Sequence, residues 1–236
     1  MLKFTVLFVL FLSFALYAKA QLATEISLQG GEDYASFGYY GNINGAVSYQ
    51  LKDWNFSTAA GINLSHAKDK IFNALKFDLL RSFKIKSIPF KGELFYQWKP
   101  YSERLYEHNM ALVVHYNPKN FQFQLGHHTR LYHLPKNYVI THNYTDQDVW
   151  EAFNLIYKAS YVQPINEQLK LKFSITNFDA FVIQQETNPM VILNTAYDLS
   201  SNSLLSFDLG YLQAGFFNMR VNYFGYFTRL TYHYQF

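Results

Sequence analysis

The stretch Tyr223-Phe-Gly-Tyr-Phe-Thr-Arg-Leu-Thr-Tyr-His-Tyr-Gln-Phe236 alternates residue by residue. Phe224, Tyr226, Leu230, Tyr232, Tyr234 and Phe236 share one face with Thr228. Gly225, Arg229, Thr231, His233 and Gln235 share the other, broken only by Phe227. A period of two is that of a β-strand, whose side chains point alternately to opposite sides. One side of this strand suits hydrocarbon and the other suits water. Such a strand belongs either to a soluble β-sandwich or to a barrel standing in a membrane.

Composition favours the barrel. Aromatic residues make up 19% of the chain, with 20 Tyr and 23 Phe, and charged residues only 16%. A soluble domain carries about 25% charged residues. A barrel accommodates the shortfall, because half of each strand faces lipid and half a polar interior. Met1-Leu2-Lys3, the apolar run Phe4–Leu16 and the A-x-A site Ala18-Lys19-Ala20 read as a signal peptide over 1–20, leaving 21–236 as one barrel domain. Beyond residue 20 no apolar run reaches the roughly 17–25 residues of a membrane helix. The chain has no Cys, hence no disulfide framework or thiolate metal site. A net charge of +3 is too small to argue for nucleic acid.

Alternation between turn signals predicts an all-β, transmembrane, antiparallel up-and-down barrel of about twelve strands, with ten and fourteen as alternative counts. The strands are expected near 22–30, 42–51, 54–65, 72–85, 91–100, 107–117, 121–131, 150–163, 168–178, 189–199, 203–214 and 222–236. Lys52-Asp53, Ser87–Phe90, Asn117–Asn120, Pro164–Glu167 and Ser200–Asn202 read as tight turns at every second junction. The other junctions are longer, and Leu131–Val149 is the longest, a candidate to fold inward or bind a partner. Large aromatics collect at two levels, Tyr49, Trp54, Tyr116, Tyr161, Tyr234 and Phe236 at one and Trp98, Tyr101, Trp150, Tyr211 and Phe224 at the other, as in membrane girdles.

With Tyr232 and Tyr234 at alternate positions before a final Phe236, the closing strand resembles the recognition strand of Gram-negative outer-membrane β-barrels. The resemblance implies an outer-membrane monomer in contact with membrane lipid. It also implies delivery by the barrel-assembly machinery through Tyr232, Tyr234 and Phe236. Both termini and the tight turns would be periplasmic. No functional family is identified by it.

Membrane barrels keep ionisable groups inside. The expected lumen residues are Lys76, Asp78, Lys84, Glu93, Lys99, His115, His128, Arg130, Lys158, Lys170, Lys172, Asp198, Asp208 and Arg229, with Glu25 and Asn44 beside them. Expected ion pairs are Lys84–Glu93, Asp208–Arg229, and Lys170 or Lys172 with Asp198. They favour a narrow pore or structural barrel with a salt-bridged lumen over one that selects by charge. His127 and His128 are adjacent and so point to opposite faces, which gives no metal site. No cofactor is called for. An envelope lipid hydrolase is the enzymatic alternative, with His127 expected on the lipid face near the outer rim. It lacks a serine at the height of that histidine, and no catalytic residue is assigned. A surface-binding or secretion-associated barrel, working through Glu32-Asp33-Tyr34 and Leu131–Val149, is the other alternative.

Overall fold

The computed structural model describes residues 21–33, 38–65, 71–100, 106–134, 136, 139, 147–179, 188–213 and 223–236. The expected signal peptide at 1–20 lies outside them. Twelve strands run β1 (Gln21–Asp33), β2 (Gly38–Leu51), β3 (Trp54–Asn63), β4 (Phe72–Ile85), β5 (Ile88–Pro100), β6 (Tyr106–Tyr116), β7 (Phe121–His133), β8 (Asp148–Pro164), β9 (Leu169–Thr176), β10 (Met190–Ser200), β11 (Ser203–Gln213) and β12 (Tyr223–Gln235). Each pairs antiparallel with its neighbours in sequence, and β12 returns to β1.

The stretch quoted first is the strand that closes the ring. On one side Arg229 stands opposite Gln29 and Gln235 opposite Ala23. On the other Arg229 stands opposite Asp208. The Phe236 amide donates to the Leu22 carbonyl at 2.9 Å, so pairing continues to the last residue. Closure leaves no sheet edge, which matters because unpaired backbone groups cost several kcal/mol in hydrocarbon.

The strands lie within a few residues of their expected spans, with informative exceptions. β1 extends through Asp33, so Glu32 and Asp33 are ladder residues opposite Tyr226 and Gly225, not loop. Tyr34 lies outside the described residues. Ile85 pairs with Ile88, leaving a two-residue turn of Lys86 and Ser87 with φ of 47° and 69°. Two positive φ values match the twist of a hairpin. Pro89 and Phe90, expected in that turn, belong to β5, where a proline near a strand start forfeits little. At the β8–β9 turn the Asn166 side-chain oxygen accepts from the amides of Gln168 and Leu169, at 2.9 and 2.7 Å. β9 stops at Thr176, two residues short of its expected end. Gln21, the first described residue, and Phe236 lie at the rim of tight turns.

The outer face decides between sandwich and membrane barrel. Ile26, Val47, Phe56, Phe77, Leu94, Leu112, Leu125, Leu155, Phe173, Leu193, Phe207 and Leu230, one from each strand, are all exposed. A sandwich would cover them. In hydrocarbon each gains about 1.5–3 kcal/mol over water. Aromatic rings gather below the band, Phe83 against Phe90 and Phe90 against Tyr116 at 6.1 and 5.3 Å, and Phe121 against Tyr161 at 5.2 Å. Trp150 stands exposed at the opposite rim. Tyr101 and the Phe224 side chain lie outside the described residues.

Candidate functional site

The inner face carries the chemistry, and it is organised wall by wall. Across β5–β7, Gln97, Glu107, Asn109, His128 and Arg130 are all buried. Arg130 donates from Nε to Asn109 Oδ1 at 3.1 Å and from a terminal nitrogen to the Tyr132 hydroxyl at 2.7 Å. Asn109 Nδ2 donates to Glu107 and Gln97 at 3.0 and 3.3 Å, and its Oδ1 lies 2.8 Å from His128 Nε2. Lower on the wall, Lys76 and Asp78 form an ion pair at 2.9 Å, and Ser57 donates to Asp78. Glu93 bonds His115 at 2.7 Å. Lys84 does not meet Glu93, correcting the expected pair: the register sets Lys84 opposite Pro89 and Glu93 opposite Leu80. Lys170 reaches Asp198 at 2.8 Å, whereas Lys172 stands opposite Asn194. Lys99 stands opposite Glu107. His127 is another correction. It lies in mid-strand opposite Leu112 and Leu155, not near the rim.

Asp208 and Arg229 meet at 2.9 Å, joined by a third residue the sequence did not single out. Asp179, just past β9, takes two further bonds from Arg229, at 2.6 and 3.1 Å. Asn194 donates to Asp208 from the other side at 2.6 Å. Burial opposes ionisation of Asp179, but the Arg229 guanidinium beside it wins and holds the carboxyl far below the usual carboxylate range. Arg229 also lies over the Phe227 ring at 5.5 Å. Phe227 itself packs with Met190, Ile192 and Leu212, an apolar cluster on the inner face.

Asp179 arrives there because β9 is short. Past Thr176 the Asn177 side chain takes over the ladder: its oxygen accepts from the Tyr157 amide at 3.0 Å and its nitrogen donates to the Leu155 carbonyl at 2.6 Å. Its own amide keeps a longer bond, 3.4 Å, to the Tyr157 carbonyl, and Phe178 is still in a β-bridge before the chain leaves the ladder. Phe178 follows, buried with Phe95, Ala111, Val113 and Ile156, its ring edge-on to Phe95 at 4.8 Å. The segment expected to fold inward is Leu131–Val149, of which 135, 137–138 and 140–146 lie outside the described residues. Val139 within it is buried. A signal for Asn177–Asp179 existed. Ser174 and Thr176 face in and Phe173 and Ile175 face out, so continuing β9 would set Asn177 in lipid and Phe178 in the polar interior.

No protein-family model matches the chain, and no curated protein matches it significantly in sequence. Solved structures do match. The KdgM porin in complex with disordered oligogalacturonate is 9% identical, with a TM-score of 0.57 over 90% of this chain and 99% of its own. The NanC porin is 11% identical, with a TM-score of 0.53 over 89% of this chain and 98% of its own. The fold is that of an outer-membrane porin. At these identities the likeness is of fold alone.

Within this porin-type barrel the charges do not all cancel. Among the described residues, Lys84, Lys91, Lys158 and Lys172 on the inner face have no carboxylate in ion-pair range, whereas Glu25 has no cation in range, Glu93 meets only His115, and Asp179 and Asp208 share the one guanidinium of Arg229. Lys84, Lys91 and His115, together with Asp53, line a cavity of about 320 Å³ at the tight-turn end.

Proposed function

We propose that the protein is a monomeric, narrow channel of the outer membrane that passes small hydrophilic solutes and favours anions. The observation that carries this reading is the set of unneutralised lysines on the inner wall of a closed barrel whose outer wall is apolar. Paired charges cancel one another's field, but Lys84, Lys91, Lys158 and Lys172 leave theirs in the lumen, where low-dielectric walls strengthen it. KdgM, which shares the fold, binds oligogalacturonate, a polymer of sugar acids, and a sugar acid is therefore the first organic solute to try. The tight turns and both chain ends stand in the periplasm. The assembly machinery grips β12, whose Tyr232, Tyr234 and Phe236 lie on its lipid side.

Reversal potentials across a planar bilayer in a salt gradient test the selectivity. Chloride should carry more current than potassium, and Lys158→Glu with Lys172→Glu should diminish or invert the preference. Silence at every voltage, or a wild-type preference for cations, ends this reading.

A further inference from the structure

Three consecutive residues touch three separated parts of the barrel wall. Asn177 is tied to the backbone of β8 through Leu155 and Tyr157. Phe178 lies edge-on to Phe95 of β5. Asp179 is held by Arg229 of β12. Around the ring three strands separate β12 from β8, two separate β8 from β5, and four separate β5 from β12. With Asn177 still bonded to β8 and Phe178 in a β-bridge, the side chains of Phe178 and Asp179 reach from that wall into the lumen, toward β5 and β12.

The geometry points to Asn177-Phe178-Asp179 as a fixed strut that sets the bore of the channel, with Arg229 as the residue that holds it in place. The assignment rests on the channel reading above and adds which residues limit solute size. Each attachment uses different chemistry. A carboxamide completes a β-ladder, a ring fills an apolar niche, and a forked guanidinium grips a carboxylate through two parallel bonds. Arg229 is itself fixed, by Asp208 on the neighbouring strand and by the Phe227 ring beneath it. A segment anchored at each residue has no slack to swing aside. Solute must pass around it, so the free cross-section is what Phe178 and the Arg229–Asp179 pair leave open.

Phe178→Ala and Asp179→Ala, made singly in the full chain, test this. Asp179→Ala leaves the Arg229–Asp208 pair in place, and a gel shift on boiling shows whether either barrel is folded. Both variants should raise single-channel conductance severalfold and admit larger neutral sugars into liposomes. Folded variants with unchanged conductance and size limit overturn the strut. Should Phe178→Ala fail to fold, Phe178→Leu should give an intermediate conductance, and a wild-type value would count against the proposal.

A second readout needs no current. The chain has no Cys, so Ser206→Cys, on the inner face two positions toward the tight turns from Asp208, supplies a unique thiol. A bulky maleimide added to whole cells should label it faster with Ala at 178 than with Phe. Equal rates overturn the strut. Silent bilayers combined with faster labelling would retire the channel reading and leave the strut standing.

Discussion

Phe227 is the residue that breaks the alternation of β12, and the structure gives the reason. Its ring lies over Gly210 on β11, where an added Cβ would stand 2.1 Å from the nearest ring atom. Glycine there makes room for an inward aromatic that supports Arg229. Gly210→Ala should cost about 1–3 kcal/mol through overpacking. It should lower the temperature of the boiling-dependent gel shift, with Phe227→Leu in the same chain recovering part of the loss. Arg229 carries a larger penalty. Arg229→Gln leaves Asp179 and Asp208 facing each other in a buried site, and removing one member of a buried ion group costs about 3–5 kcal/mol. The two carboxylates would then repel each other, and protonation relieves that repulsion. The loss should therefore shrink as pH falls through the carboxylate range. A loss independent of pH between neutrality and that range would mean that repulsion is not its source.

At the scale of elements, the β4–β5 hairpin shows what single residues hide. Pro89 draws the eye to a turn at Ser87–Phe90, but the chain reverses at Lys86-Ser87. Left-handed backbone costs a residue with a side chain roughly 1–2 kcal/mol, and glycine almost none of it. Ser87→Gly should accordingly raise the unfolding free energy by about 1 kcal/mol, measured by denaturant titration in detergent. An unchanged midpoint would show that the turn carries no such strain. The end of β9 is the complementary case. The strand expected at 168–178 runs past its true end, although the inversion of polarity at Asn177 and Phe178 marks it, because neither residue suits the face that continued alternation assigns to it. The destination of the segment was not legible. Arg229 is fifty positions from Asp179 in the chain, and no local pattern couples the two. Replacing Asn177 by Leu keeps the size but leaves the Tyr157 amide and the Leu155 carbonyl without partners. At about 1–3 kcal/mol per unsatisfied group, the change should speed amide exchange at Tyr157 well beyond that of Ser174 on β9. Equal protection at both would show that water or another group completes the ladder.

The whole molecule was the most legible level, for a physical reason. Strand count and closure follow from period-two alternation and turn chemistry, which repeat along the chain and correct one another's errors. Lumen contacts such as Glu93 with His115 depend on a register that alternation leaves open by steps of two, and so Lys84 was given the wrong partner. What unites strands and lumen is the direction of the apolar band, and depth tests it better than composition does. Leu112 sits near the middle of β6, opposite Leu94 and His127, whereas Trp150 sits near the long-loop end of β8. Both are exposed. An arginine facing lipid costs about 2–4 kcal/mol at the bilayer midplane and about 0–1 kcal/mol near the interface. Leu112→Arg should therefore destabilise the barrel in lipid vesicles far more than Trp150→Arg, as read from denaturant unfolding. In water both positions would behave as surface sites, with changes within about 0.5 kcal/mol. Equal and small losses at the two depths would mean that the band faces solvent, and the membrane reading of every strand would fall with it.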